Sequence, residues 1–189
     1  MIIFDSNFVL TLLRQIEFGP EDKTTGKPLE FHMERVQGYF EALDAKKDVI
    51  GIPTPVIAEL GIRGTTTVQE LVSQLSKSAR FRFLPFDAMA AIECASIARA
   101  ALEAGQKRAG AADPKEVWAK LKFDRQILAI AIVNRATAVC TWDSNLMKLC
   151  KDHKISTISI FDLQVPEAAR QHQFDYENQP DAEHDNLPE

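Results

Sequence analysis

The first ten residues (MIIFDSNFVL) constrain the fold most strongly, because an apolar run ends abruptly in a carboxylate. Residues 2–4 carry no polar side chain for a solvent-facing side, so they predict a strand buried on both faces of a parallel sheet. Asp5 follows directly, and Ser6 and Asn7 open a helical pattern. Ligands of open α/β sheets bind at the carboxyl ends of the strands. Asp5 is therefore either a helix cap or one member of a site, depending on whether other acids converge on it.

Length and composition fit one soluble domain. The chain has 189 residues, of which 46% are hydrophobic and 26% charged, which is enough to bury a sizeable core. No apolar run approaches the roughly 18 residues of a membrane span, and no secretory leader is evident, so we expect a cytoplasmic protein. Cys94, Cys140 and Cys150 lack paired spacing and are expected to be reduced thiols, not disulfide partners or zinc ligands.

Strand-like and helical segments alternate along residues 1–163. Besides the first strand, short strands are predicted at 49–52, 81–84, 136–141 and 155–160. Helices are predicted at 8–18, 30–47, 54–60, from 65 to about 75, 87–103, 113–135 and 144–154, with polar loops at 19–29 and 105–112. Thr54 and Asp113 are placed to cap the helices that follow them. This alternation predicts an α/β fold whose parallel sheet is covered by helices on both faces.

The formal net charge of −5 is concentrated near the end of the sequence. After Pro166, Arg170 is accompanied by seven acids: Glu167, Asp175, Glu177, Asp181, Glu183, Asp185 and Glu189. Large apolar residues are also few there, so residues 164–189 are predicted to be an acidic, disordered tail to a domain comprising residues 1–163. The nearly neutral domain neither requires nor excludes a nucleic-acid partner.

Three further acids decide how Asp5 is interpreted. Asp143 follows a predicted strand, Glu59 lies in an apolar helix after another, and Asp124 lies where a long helix becomes strongly apolar. Because parallel strands share one carboxyl edge, we expect these acids to meet. Clustered carboxylates repel one another unless a cation neutralises them, and hard oxygen ligands suit Mg²⁺ or Mn²⁺. Such an ion activates water and stabilises charge on a phosphoryl group, so the pattern predicts metal-assisted hydrolysis of a phosphodiester.

Each acid also has a structural interpretation. Asp5 and Asp143 would serve as ordinary helix caps, Glu59 as a solvated helix residue, and Asp124 as the surface partner of Lys120 one turn earlier. Taken singly these readings are preferable; taken together, the four positions favour a metal site. Other chemistry is poorly supported. The four histidines share no spacing typical of metal ligands, and the alternating Arg and Phe residues at 80–83 are better explained as a half-buried edge strand than as a binding surface. Lys122 and Arg125, which flank Asp124, are candidates for binding an RNA phosphate.

The motifs around the acids resemble those of a known family. The segments IFDSN at 3–7, PVIAEL at 55–60, DRQILAIA at 124–131 and TWD at 141–143 look like a PIN domain, most similar to the VapC-type toxins of bacterial toxin–antitoxin pairs. The resemblance covers roughly residues 1–160. It implies a three-layer sandwich with sheet order 3-2-1-4-5 and a Mg²⁺- or Mn²⁺-dependent endoribonuclease. Its catalytic and metal-binding acids would be Asp5, Glu59, Asp124 and Asp143, with Asn7 and Thr141 in support.

The same resemblance implies a homodimer inhibited by a cognate antitoxin. Many relatives carry another acid shortly after the fourth, whereas Ser144, Asn145 and Leu146 follow Asp143 here, which favours one ion over two. Two alternatives stay open at this point. One is a PIN nuclease of RNA processing or DNA repair that has no antitoxin, and the other is a PIN-like module that binds without cleaving.

Overall fold

The secondary structure follows the predicted alternation of strands and helices. The computed structural model describes residues 1–22, 24–63, 67–103, 105 and 114–171, with the side chains of 114–119 left out. In chain order the elements are β1 (Ile2–Phe4), α1 (Ser6–Leu12), β2 (Glu21–Asp22), β3 (Lys27–Pro28), α2 (His32–Ala45), β4 (Ile50–Pro53), α3 (Thr54–Arg63), α4 (Val68–Ser76), β5 (Phe81–Leu84), α5 (Ala88–Glu103), α6 (Pro114–Val133), β6 (Ala138–Cys140), α7 (Ser144–Asp152) and β7 (Ser156–Ile158), followed by a 3-10 turn at Ile160–Asp162.

Five parallel strands form the central sheet in the order β5-β4-β1-β6-β7. Numbered among these five strands alone, this order is 3-2-1-4-5, so the predicted PIN-like topology is confirmed. β1 lies in the middle, with Ile2 opposite Ile50 of β4 and opposite Ala138 of β6. The strand that ends in Asp5 therefore has a neighbour on either side, and the residues following all three strands lie at one edge of the sheet.

Apolar side chains of the inner strands and of α6 form the core. Ile3, Phe4, Ile52 and Val139 are fully buried, as the absence of a polar face in their strands predicts. Residues 127–131 of α6 are likewise buried, which confirms the burial expected from that helix's continuous apolar run. Asp124 precedes this run by one turn, so the packing of α6 against the core also fixes the position of that carboxylate.

Two predictions for residues 8–29 were wrong. α1 ends at Leu12 and not at Phe18, because Arg14 adopts a left-handed conformation and the Gln15 N–H donates to the Leu10 carbonyl, which closes the helix. The segment 19–29 is not a plain loop but carries the antiparallel hairpin of β2 and β3. Its turn is held by Asp22, whose carboxylate accepts from the Thr24 N–H at 2.8 Å.

The start of α3 differs from the prediction. Thr54 is the first residue of α3, and its hydroxyl accepts from the Phe86 N–H at 2.9 Å instead of capping the helix, which ties α3 to the segment after β5. Thr67 and Glu70 form a reciprocal capping box at α4. Asp113 and, apart from Gly105, the predicted loop at 105–112 lie outside the described residues.

The start of the predicted tail packs on α2. Residues 167–171 are helical, and Arg35 donates to the Leu163 carbonyl. A Cβ added at Gly38 would lie 2.7 Å from Pro166 Cγ, so the glycine permits this close approach. Residues beyond 171 are not described, and the disorder of the tail stays a prediction. All three cysteines are free, as predicted, and no helix in the described part of the chain is long and apolar enough to cross a membrane.

Candidate active site

Asp5, Glu59, Asp124 and Asp143 converge at the carboxyl edge of the sheet. Asp5 directly follows β1, and Asp143 lies three residues after the end of β6. The Asp5 N–H donates to the Cys140 carbonyl at 3.1 Å, which joins the two strand ends. The charges of Glu59 and Asp143 raise the pKa of both Asp5 and Asp124. The four acids that were selected from widely separated parts of the sequence thus form one electrostatically coupled cluster.

Asp5 is buried at the centre of this cluster. Its side chain is the N-cap of α1, and Oδ1 accepts from the Phe8 N–H at 2.9 Å. The pKa of the Asp5 carboxyl is raised to about 7, chiefly by burial and to a smaller extent by the charges of Glu59 and Asp143, although the Phe8 N–H and the Thr141 hydroxyl stabilise the charged form. Asp5 is therefore a helix cap and a member of the cluster at the same time.

Asp143 caps α7 and also contacts a lysine. Its Oδ1 accepts from the N–H groups of Asn145 and Leu146 at 2.8 and 3.1 Å, and its Oδ2 forms an ion pair with Lys120 Nζ. Burial raises the pKa of the Asp143 carboxyl. The hydrogen bond from Lys120 and those from the two N–H groups outweigh this effect, so the pKa lies below its ordinary value. Asp143 is therefore an ionised member of the cluster in the absence of a metal ion.

Asp124 has an unsatisfied oxygen. The residue is only 6% exposed, and its buried Oδ2 has no hydrogen-bond partner among the residues that the structure describes. The pKa of the Asp124 carboxyl is raised to about 7, first by burial and then by repulsion from Asp143, Glu59 and Asp5, while Lys120 lowers it. The interpretation of Asp124 as a surface residue paired with Lys120 is wrong, because the lysine reaches across to Asp143. A buried, unpaired carboxylate oxygen is costly, which indicates that it serves a ligand.

Glu59 is held by a residue that the sequence analysis did not single out. Arg63 Nη1 lies 3.0 Å from Glu59 Oε1 and donates to Asn7 Oδ1 at 2.8 Å. Arg63 thereby links α3 to the start of α1 and brings Asn7, predicted as a supporting residue, to the edge of the cluster. The signal that would have found it is the spacing of an acid and a base four residues apart on one helix.

Thr141 connects two of the acids. It is fully buried, its Oγ1 accepts from the Asp143 N–H at 3.0 Å, and its hydroxyl donates to the Asp5 carboxylate. Because a hydroxyl can donate and accept at once, one side chain fixes the distance between the backbone of Asp143 and the carboxylate of Asp5. The supporting position expected for Thr141 is thus where a positioning residue would act.

The donors in the cluster fit a hard divalent cation. They are carboxylate oxygens, one of them buried and unpaired, and their mutual repulsion would be relieved by added positive charge. In the described part of the chain, however, no three His, Cys, Asp or Glu side chains are already arranged to hold a metal ion. Lys120 and Arg63 supply positive charge to Asp143 and Glu59, so the protein's own cations compensate part of the negative charge of the cluster.

The candidate RNA-binding residues lie toward α5. Arg125 is only 6% exposed, whereas Lys122 is exposed. Burial raises the pKa of the Cys94 thiol on α5, and the positive charges of Arg125 and Lys122 lower it, which places both residues near that helix. Its burial leaves Arg125 little surface for RNA.

Arg80 forms an ion pair with Asp44 at 3.4 Å beside the edge strand β5, in line with the structural interpretation of residues 80–83.

Similar folds occur among solved structures. VapBC2 from Rickettsia felis, bound to a DNA fragment from its promoter, matches with a TM-score of 0.52 and 19% identity over 84% of this chain and 98% of that chain. DNA-bound VapBC from Salmonella typhimurium matches with a TM-score of 0.49 and 18% identity over 84% and 97% of the two chains. VapC20 from Mycobacterium tuberculosis, a toxin that cleaves the sarcin–ricin loop, matches with a TM-score of 0.44 and 13% identity over 78% and 94%.

The VapBC2 comparison supports the fold class. Together with the sheet order, it shows that the chain has the PIN-like fold of VapC proteins. No family profile and no curated protein sequence matches the chain.

Proposed function

We propose that this protein is a divalent-metal-dependent endoribonuclease that hydrolyses RNA phosphodiester bonds. The observation that carries the proposal is the unpaired, buried Oδ2 of Asp124 within a cluster of four acids at the carboxyl edge of a PIN-like sheet. Helix capping accounts for Asp5 and Asp143 but not for the buried Asp124, and repulsion among the acids destabilises the fold, so a function that uses the cluster is the better explanation.

Asp5, Asp124 and Asp143 would hold Mg²⁺ or Mn²⁺, with Glu59 as a fourth donor. The ion would favour ionisation of the attacking water and would stabilise negative charge on the phosphodiester. The chain itself fixes the donors: the N-terminus of α1 orients Asp5, the N-terminus of α7 orients Asp143, and Thr141 couples the two. Asn7 acts through Arg63, which positions Glu59.

We further propose that the protein is the toxin of a type II toxin–antitoxin pair, acting in the cytoplasm as a homodimer. The motif resemblance to VapC-type toxins and the VapC-like fold support this assignment. A cognate antitoxin would then cover the acidic edge, since clustered carboxylates present a strong electrostatic target for a basic segment. Co-purification of the chain with the product of a small neighbouring gene would test this part of the proposal.

The Asp5→Asn variant tests the nuclease assignment. Replacing an outer-shell partner of a metal typically costs 10–100-fold in activity, so loss of a central ligand should lower the rate of RNA cleavage by about 100-fold or more. Cleavage of a fluorescent RNA is measured with Mg²⁺, Mn²⁺ and EDTA, and circular dichroism verifies folding. Asp152→Asn, at an exposed site on α7, is the matched control and should cleave at the wild-type rate. A folded Asp5→Asn protein that cleaves as fast as wild type would refute the assignment.

A non-catalytic binding module is the second candidate. It is favoured by one observation, namely that Lys120 and Arg63 already neutralise Asp143 and Glu59 in an arrangement that holds no preassembled metal site among the described residues. Titration calorimetry with Mn²⁺ separates the two candidates. Absence of metal binding would favour the module, and binding at a stoichiometry near one would favour the nuclease with a single ion.

A further inference from the structure

Lys120 occupies a decisive position beside the acidic cluster. Its ammonium contacts Oδ2 of Asp143, which is the oxygen that does not cap α7. The pair joins α6 to the segment after β6, and the Asp143 side chain is only 17% exposed whereas that of Lys120 is 53% exposed. The lysine thus reaches from solvent into the cluster and takes the one oxygen of Asp143 that is available to a ligand.

The charge of Lys120 acts on more than Asp143. Desolvation lowers the pKa of the Lys120 ammonium, but Asp143, Asp124 and Glu59 together raise it above its ordinary value. Three of the four acids therefore interact with this one cation. The Asp124 carboxyl feels this charge too, yet its buried Oδ2 has no hydrogen-bond partner in the described part of the chain. Lys120 therefore compensates part of the charge of the cluster without a hydrogen bond to Asp124 Oδ2.

We propose that Lys120 is a tethered counter-ion that occupies Asp143 in the metal-free protein and competes with the divalent cation for that carboxylate. The proposal rests on the metal role suggested above for Asp143. It accounts for the ion pair itself, in which an ammonium takes the oxygen of Asp143 that does not accept from the N–H groups at the start of α7. The flexible four-carbon stem lets the ammonium leave by side-chain rotation alone, with no movement of α6.

The consequence is that the charge of Lys120 lowers the affinity of the cluster for a divalent ion. Displacing Lys120 costs the charge-assisted hydrogen bond to Asp143, and a retained ammonium repels a nearby divalent ion. Removing the charge should therefore tighten metal binding, whereas removal of a residue that merely supports the site should weaken it. Lys120 is in this sense a positioning residue and not a catalytic one.

The test is Mn²⁺ titration calorimetry, without RNA, on the wild type and on Lys120→Met, Lys120→Gln and Lys120→Arg. We expect both neutral variants to bind Mn²⁺ about tenfold or more tightly than wild type, because a unit charge a few ångströms from a divalent ion repels it by at least that factor. Lys120→Arg keeps the charge and should bind within about threefold of wild type. Lys148→Met removes an exposed lysine from α7 and controls for net charge; it should leave the affinity unchanged.

Thermal unfolding in EDTA provides a second reading. Without Lys120 the acids lose their counter-ion, so the metal-free Lys120→Met protein should unfold at a lower temperature than wild type, and saturating Mn²⁺ should restore it. Equal or weaker Mn²⁺ binding by the neutral variants would overturn the inference, as would an equal gain in Lys148→Met.

The outcomes also separate this inference from the proposed function. If the neutral variants bind Mn²⁺ more tightly but neither they nor the wild type cleave RNA, the nuclease assignment fails and the counter-ion role stands. If the wild type cleaves RNA and its metal affinity does not respond to Lys120, only the inference fails. If none of the proteins binds Mn²⁺, both are overturned.

Discussion

Replacing Asp124 by Asn should stabilise the metal-free protein while it removes metal binding. The Asp124 carboxyl has a pKa of about 7 against an ordinary value of 3.8, because of burial first and of its acidic neighbours second. A carboxyl whose pKa is higher in the folded than in the unfolded protein contributes full stability at a pH below its unfolded pKa, and this contribution is lost as the pH rises through the folded pKa of about 7. With about 1.4 kcal/mol per pKa unit, ionising Asp124 in the folded protein costs up to about 4 kcal/mol at pH 8.

Not all of this cost is recovered by the substitution. The amide of Asn would place two N–H donors where Asp124 has one buried oxygen with no partner among the described residues. A donor left without an acceptor costs about 1–3 kcal/mol. A net gain of about 2 kcal/mol at pH 8 remains, which corresponds to a rise in Tm of roughly 4–8 °C for a chain of this size. At pH 5 the carboxyl is largely protonated in the folded protein, so the gain should shrink toward zero or reverse.

Thermal unfolding at pH 5 and pH 8 in EDTA measures this difference directly. Asp152→Asn, which removes an exposed acid from α7, controls for the change in net charge and should shift Tm by less than about 1 °C at either pH. A second measurement, Mn²⁺ titration, should show that Asp124→Asn has lost its metal affinity. An Asp124→Asn protein that is no more stable than wild type at pH 8, or whose gain is the same at pH 5, would refute the assignment of repulsive strain to this carboxylate.

Two further predictions concern the same cluster. Thr141→Val should destabilise the protein by about 1–3 kcal/mol in urea denaturation, because the partly buried Asp143 N–H loses its acceptor and the buried Asp5 carboxylate loses a donor. The loss should be larger at pH 8, where Asp5 is ionised, than at pH 5. An unchanged midpoint would show that the hydroxyl couples neither residue. The raised pKa values of Asp5 and Asp124 imply that wild type loses stability between pH 5 and pH 8. Saturating Mn²⁺ should reduce or abolish this loss, because the bound ion favours the ionised forms of both residues. Thermal unfolding that keeps the same pH dependence with and without Mn²⁺ would contradict the cluster as the binding site.

The sequence predicts the sheet and the cluster because both depend on local patterns. Uniformly apolar segments identify the buried strands, and their alternation with helices predicts a parallel sheet; the order of its strands came from the resemblance to PIN domains, and the structure has that order. The acids could be selected because each follows a strand or interrupts an apolar helical run. Those signals are properties of neighbours along the chain.

Features that depend on long-range side-chain contacts were missed. Lys120 lies one turn from Asp124, which favours an i,i+4 pair on sequence grounds, yet its ammonium contacts Asp143 across the carboxyl edge. Arg63 bridges Glu59 and Asn7, residues separated by 52 positions, and only the folded arrangement of α1 and α3 reveals the contact. The early end of α1 has a different, local cause: Arg14 adopts a left-handed conformation, and the N–H groups of Arg14 and Gln15 donate to the Thr11 and Leu10 carbonyls.

Asp5 and Asp143 show why the structural and functional interpretations of an acid after a strand do not exclude one another. Oδ1 of each carboxylate accepts from N–H groups at the start of a helix, which fixes the orientation of the side chain. The second oxygen of Asp143 then faces Lys120 in the cluster. A parallel sheet brings such capped acids together at its carboxyl edge, so helix capping is itself the device that positions the proposed metal ligands. Substituting either residue should therefore disturb helix and site together, whereas Asp124, which serves no cap, should separate stability from function.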